Sequence, residues 1–336
     1  MKRRMFLKGS AITGAALATP LLAQAGSGLL ASASTRKVYR IIQADRSMVG
    51  TLPILRAFAG DQQDYVSPFV LLDEFGPVRV EPGADPLRVD AHPHAGVIPT
   101  TYFLSGSGHH KDSLNYDFQI STGDFMLFSS GRGAIHMEES GQHMYEQGGD
   151  FHGFQIWLNM PAAYKLIAPS TEIYQDKQMG KVKGKGFEAR IILGELFGTR
   201  SEVALLSPAF YYHITLEPDT RLDIPTEATH NAFAYAVNGS VELEGRQLLE
   251  RHNLALFERG ESTISLFSQN GAELLVLGGQ PLNERVYAYG PFVMNTEQQI
   301  RQCIADYQAG KMGNPDVVNT QKPKAATGAQ GPVKRG

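Results

Sequence analysis

The chain has 336 residues, is 42% apolar and 19% charged, and carries a formal net charge of −3. This balance excludes a wholly disordered chain and argues against a nucleic-acid binder with a broad basic footprint. A single cysteine, Cys303, excludes a disulfide framework. With 35 Gly, 18 Pro and one Trp, the composition points to many short strands and turns, and the length to about two domains.

In chain order, the N-terminus comes first. Lys2, Arg3, Arg4 and Lys8 precede an apolar stretch from Ala11 to Ala23, broken by Gly14 and Pro20. Small residues at Ala23 and Ala25, and again at Ala31 and Ala33, form two A-x-A cleavage patterns. The order is that of a secretory signal, so residues 1–33 are expected to be a signal peptide cut near 25 or 33. Arg3-Arg4 followed by Phe6-Leu7-Lys8 resembles a twin-arginine signal, which predicts a periplasmic protein with no stable membrane insertion after cleavage. That route carries folded chains, so a metal loaded in the cytoplasm is compatible with it.

From Val38 to Leu158 the pattern is of short apolar runs closed by turn residues, such as Phe69–Leu72, Thr100–Leu104 and Phe125–Phe128. Strands at this spacing predict a sandwich or barrel. Gly180–Gly186 reads as a flexible basic loop, and strand signals resume at Arg190–Leu193 and run to Leu274–Leu277. A faint repeat lays Tyr102–Ser107 beside Tyr235–Ser240 and Gly123–Phe128 beside His252–Phe257, suggesting two copies of one β-unit. Near the end, Thr296 with Gln299 predicts a capping box. Ile300, Cys303, Ile304 and Tyr307 then form one apolar helical stripe, stopped by Gly310, so Cys303 is expected to be a packed core thiol. The tail, 314–336, is polar and expected to be disordered.

Seven of the ten histidines fall between residues 92 and 152. His92-Pro93-His94 and His136-Met137-Glu138 each place two potential ligands at i and i+2, which share one face of a strand. Two neighbouring strands could thus present three imidazoles and a carboxylate to one divalent ion, iron, copper, nickel, manganese or zinc. On a six-coordinate ion such a set leaves two positions open, whereas a closed structural zinc site would more often use cysteines. His109 and His110 follow a Gly-Ser-Gly turn, so at least one is expected to be exposed. His152 is expected to line the cavity or to orient a ligand from behind. His213, His230 and His252 lack partners at ligand spacing, so the second half is expected to be metal-free.

These residues resemble the pirin family. The resemblance runs through Asp90-x-His92-Pro93-His94-x-Gly96, Thr101-Tyr102-x-Leu104, His110-x-Asp112-Ser113, Gly131-Arg132-Gly133-Ala134-Ile135-His136-x-Glu138, His152–Asn159 and Gly290–Thr296. It implies an all-β bicupin, two face-to-face cupin-type β-barrels with a short C-terminal helix. It also implies one metal, typically iron, in the first barrel only, held by His92, His94, His136 and Glu138. The expected layout is a metal-binding barrel over 37–165, a linker with connecting strands over 166–204, a metal-free barrel over 205–290, and the C-terminal motif and helix over 291–313. Some members resemble quercetinases, opening a flavonol ring with dioxygen, and others act as redox-sensing partners of other proteins. Here Ala95, Val97 and Ile98 replace the Arg, Phe and Glu usual in the first motif, which predicts a more apolar cavity. Two main readings follow, beside a blander one, a general cupin with another metal and another reaction such as isomerisation. One is an exported dioxygenase acting on a chelating aromatic, with Glu138 as a base. The other is a non-catalytic metal-containing binding or redox-sensing protein. Neither involves nucleic acid, and the sequence names no protein partner.

Overall fold

The computed structural model describes residues 34–60 and 62–320. The expected signal peptide (1–33) and the end of the expected tail (321–336) lie outside the described residues. Among the described residues, no helix is long and apolar enough to cross a membrane.

The first half runs β1 (Val38–Gln43), β2 (Asp45–Val49), β3 (Leu52–Ala59), α1 (Gln63–Val66), β4 (Phe69–Val80), β5 (Val89–His94) and β6 (Val97–Ser105). It continues through β7 (Ser107–Asp112), β8 (Asp117–Ser121), β9 (Phe125–Ser129), β10 (Ala134–Ser140), α2 (Gln142–Gln147), β11 (Gly149–Asn159) and β12 (Ser170–Tyr174). A seven-stranded sheet, β12-β9-β6-β11-β4-β3-β2, and a four-stranded sheet, β5-β10-β7-β8, form the first barrel. Phe75, Phe103, Met126, Phe128 and Phe151 are among the residues of its apolar core.

The second half comprises β13 (Gly180–Gly184), β14 (Phe187–Leu193), β15 (Glu195–Leu196), β16 (Thr199–Arg200), β17 (Ala209–Leu216), β18 (Thr220–Pro225) and β19 (Asn231–Glu242). After these come β20 (Leu248–Glu250), β21 (Asn253–Phe257), β22 (Thr263–Ser268), β23 (Ala272–Gly279), β24 (Tyr287–Tyr289) and β25 (Phe292–Met294). The main sheet has the order β1-β21-β19-β23-β17-β14-β13, and β18 pairs with β22 across from it.

The repeat seen in the sequence is a repeat of register. Tyr102 on β6 pairs with Phe125 on β9, and Tyr235 on β19 pairs with Leu254 on β21. The two large sheets pack face to face. One buried cluster holds Tyr102, Phe125, Phe154 and Ile156 of the first barrel with Phe233, Tyr235, Leu254 and Leu275 of the second. Glu74 is buried in this junction. It accepts hydrogen bonds from His152 Nε2 (2.7 Å), Tyr235 Oη (2.6 Å) and His252 Nδ1 (2.9 Å).

Four boundaries differ from the sequence expectation. β1 pairs with β21, so the strand assigned to the first barrel belongs to the second. The expected linker is divided, because β12 closes onto β9 of the first barrel while β14 joins β17 of the second. The basic segment read as a loop is half of a hairpin: alternation on β13 sets Val182 opposite Ala189 of β14. The tail does not begin at 314, since α4 (Pro315–Thr320) docks with Val318 buried and Asn319 Oδ1 accepting from the Ala91 amide at 3.0 Å. The predicted helix is α3 (Glu297–Gln308), with the Thr296–Gln299 capping box formed and Cys303 buried. Burial pushes that thiol up to about 11.

Candidate metal centre

The site is built on three adjacent antiparallel strands, β5, β10 and β7. His136 lies directly across from His92 on one side and from Asp112 on the other, and Glu138 lies across from His110. The alternation that turns His92, His94, His136 and Glu138 inward turns Ala95, Ile135 and Met137 outward. Those outward residues pack on Phe292, Met294, Ile300, Cys303, Met312 and Val318. The C-terminal motif and helices therefore brace the back of the strands that carry the candidate ligands.

The loop after His94 is clamped. The Val293 amide donates to Ala95 O at 3.0 Å, and the Gly96 amide donates to Gly131 O at 2.8 Å. The buried Lys165 Nζ donates to Gly96 O (2.8 Å), Val293 O (2.8 Å) and Asn159 Oδ1 (2.6 Å). Burial pulls this lysine down to about 7. Gly96 has φ +73°, and a Cβ there would sit 2.1 Å from Val293 O. Only glycine meets both demands.

One potential ligand atom each from His92, His94 and His136 lie within 4.8 Å of one another, as do one each from His110, His136 and Glu138. His92 Nε2 and His136 Nε2 are 3.0 Å apart. His92 Nδ1 donates to the Asp90 carbonyl at 2.8 Å, which leaves its Nε2 lone pair free. Burial holds the pKa of His92 below, and those of His94 and His136 well below, the usual imidazole value, and the neighbouring imidazoles push His94 and His136 the same way. Three neutral imidazoles beside a carboxylate form a donor set that fits a first-row divalent ion. His92 is half-buried while His94, His136 and Glu138 are buried, so solvent reaches the cluster from the His92 side.

Glu138 is held in place by neighbours. Thr101 Oγ1 donates to its Oε1 at 3.0 Å, and Gln155 Nε2 donates to both carboxylate oxygens at 3.4 and 3.3 Å. Trp157 Nε1 in turn donates to Gln155 Oε1 at 3.2 Å. Trp157 and Phe128 wall the cluster, with ring centroids 4.9 Å from His94 and 4.6 Å from His136 respectively.

Several sequence expectations change here. His109 and His110 are both buried. His109 Nε2 bonds Asp117 and its Nδ1 faces Glu139, while His110 Nε2 donates to Asp112. His152 is drawn to Glu74 at the barrel junction, and Gln155, two strand positions beyond Gly153, is what touches Glu138. Ala95, Val97 and Ile98 do not form a more apolar cavity around the quartet. Ala95 faces the C-terminal helices, Val97 packs with Val70, Val293 and Trp157, and Ile98 joins the core between the barrels. Thr101 and His110 stand in the motifs that carry the resemblance, but the sequence reading gives them no role at the site, and Gln155 is likewise given none. The signal that could have found His110 was its i, i+2 pairing with Asp112, the same spacing as the two ligand pairs. Among the described residues, both candidate metal groups lie in the first barrel.

Fold and site together define a two-barrel cupin protein with its polar centre in one barrel. Residues 51–158 match the family model described as Pirin, and residues 211–313 match the Pirin C-terminal cupin domain. The chain is 32% identical over 280 residues to a pirin-like protein of Caulobacter vibrioides, covering 82% of this chain and 95% of that one. It is 29% identical over 265 residues to human pirin, covering 77% and 88%. The chain belongs to the pirin family. Its structure is similar to that of a quercetin 2,3-dioxygenase from Acinetobacter baumannii, with a TM-score of 0.80 and 29% identity over 84% of this chain and 100% of that one. It shares its fold with a bacterial pirin from Escherichia coli solved in complex with nickel(II), with a TM-score of 0.57 and 20% identity over 72% and 99%.

Proposed function

We propose that the protein is an exported, pirin-like dioxygenase that holds one divalent metal through His92, His94, His136 and Glu138 and acts on a chelating aromatic such as a flavonol. Iron(II) is the ion proposed, with copper, nickel, manganese and zinc as the alternatives. The observation that carries this reading is a pair of ligand groups that share His136, one with His92 and His94 and one with His110 and Glu138, on neighbouring strands and open to solvent at the half-buried His92. The similarity to a solved quercetin 2,3-dioxygenase supports the choice of substrate class.

When bound, the ion would supply Lewis-acid activation of a hydroxyl–carbonyl pair and redox chemistry toward dioxygen. The chain's own residues would do the rest. Glu138, fixed by Thr101 and Gln155, would take the substrate hydroxyl's proton on a carboxylate oxygen. Trp157 would edge against the aromatic substrate, while Phe128, buried and stacked on His136, would keep water from the back of the site. The C-terminal brace would keep β5 and β10 in register.

The test is oxygen consumption by fully iron-loaded protein with a panel of flavonols and catechols. Uptake that vanishes in Glu138→Gln supports the reading. No uptake with any member overturns it in favour of a non-catalytic binding or redox-sensing metalloprotein. Export by the twin-arginine route to the periplasm belongs to the same proposal and rests on the pattern in residues 1–33. Replacing Arg3 and Arg4 with Lys should retain the protein in the cytoplasmic fraction, and unchanged fractionation would contradict the export reading.

A further inference from the structure

His92 already shows how a ligand histidine is set: its Nδ1–H is spent on a carbonyl, so Nε2 is the donor atom. His136 offers its Nε2 3.0 Å from that of His92, but its Nδ1 is buried with no hydrogen-bond partner. Beside it lies a second buried ring with the same deficit. His110 Nε2 donates to Asp112 Oδ2 at 3.0 Å, and its Nδ1 has no partner. Asp112 also accepts from the Leu114 and Tyr116 amides and from Thr171 Oγ1, so its carboxylate has donors all around it and holds His110 as the Nε2–H tautomer. His110 Nδ1 is therefore an acceptor. Phe118 stacks on the His110 ring at 5.2 Å, and the His110 and His136 centroids are 5.4 Å apart.

We propose that the Asp112–His110 pair is a positioning device for His136, accepting the Nδ1–H of His136 at His110 Nδ1 through one bridging water, so that His136 Nε2 is committed to the metal. The inference rests on the quartet being a metal site. Its physical ground is that a metal-bound imidazole almost always gives its other N–H to a fixed acceptor, and that a buried nitrogen left without a partner is costly, a deficit His94 Nδ1 shares in the same layer.

The test uses the full chain with cobalt(II) as probe and compares His110→Gln with His110→Met. The two replacements are close in volume, and only Gln keeps an acceptor. Cobalt affinity is read by competition with a chromophoric chelator, and the slowly exchanging, paramagnetically shifted ring N–H of His136 is read by proton NMR. His110→Met should weaken cobalt binding about 10- to 100-fold and abolish the N–H signal, while His110→Gln should restore both. Equal affinity and an unchanged signal in the Met variant would overturn the proposal. So would a cobalt spectrum showing that the Met variant has lost a coordinating imidazole, because His110 would then be a ligand. Failure of the wild-type chain to bind cobalt at all would instead remove the metal reading, and the positioning role with it.

Discussion

Tyr102 pairs with Phe125 in one barrel and Tyr235 with Leu254 in the other, yet the two barrels fill themselves differently. In the first, β5, β10 and β7 bring His92, His94, His110, Asp112, His136 and Glu138 into one layer. In the second, the interior is Ile191, Ile214, Ile224, Val241, Leu266, Val276 and their apolar neighbours. The histidines of the second half work at its edges. His213 Nε2 bonds Glu273 and its Nδ1 meets the Tyr102 hydroxyl, while His252 bonds Glu74. One β-unit thus serves as scaffold in one copy and as site in the other. The apolar copy repays the cost of the polar one by burying the face they share.

The largest effect on this division should come from the shared face. Phe233 is buried and packs edge-on against Phe58 and Phe69 of the other barrel. Phe233→Ala should cost about 3–5 kcal/mol in a urea titration. A much smaller loss would mean that the barrels lean little on each other. Next comes the clamp: Gly96→Ala adds a Cβ against Val293 O at a positive φ, and should destabilise the chain by at least ~2 kcal/mol and lower metal affinity. Glu74→Leu strands three donors at the junction. It should cost about 1–3 kcal/mol for each donor that stays buried while leaving metal binding intact, because Glu74 belongs to the scaffold. If metal binding fell with it, the separation of scaffold from site would be wrong. The smallest effect, about 1 kcal/mol, is expected for Thr296→Ala, which removes the capping box of α3.

The pH dependence should report on the buried imidazoles of the first barrel. His92, His94 and His136 have folded pKa values below the ordinary imidazole value of 6.5. Below that pH the unfolded chain binds protons that the folded chain does not, so stability rises with pH through this window and is lost as pH falls. Chelator-treated protein should therefore unfold at lower urea at pH 5 than at pH 7. Replacing His136 by Gln should flatten that slope.

How much was legible in the sequence follows from what each signal encodes. Strand alternation encodes the face a side chain takes, so the i, i+2 spacing brought His92, His94, His136 and Glu138 into one group. Local capping chemistry encodes a helix start, so Thr296 and Gln299 located α3. Neither encodes which distant strand is the neighbour. That is why β1 reads as part of the first barrel although it pairs with β21, why at least one of His109 and His110 is expected to be exposed although both are buried, and why His152 is expected at the cavity although it bonds Glu74. Ala95, Val97 and Ile98 teach the same lesson. Next to His94 in sequence, they turn to the C-terminal helices, to Trp157 and to the junction, where apolar side chains are what the packing requires.

The central claim is that the first barrel holds a metal through the β5 and β10 residues. The most direct test is elemental analysis of the protein purified after its own export, beside His92→Ala prepared identically. The account predicts about one divalent ion per chain in the wild type, iron first, and none in the variant. No metal in the wild type, or equal metal in both, would contradict it.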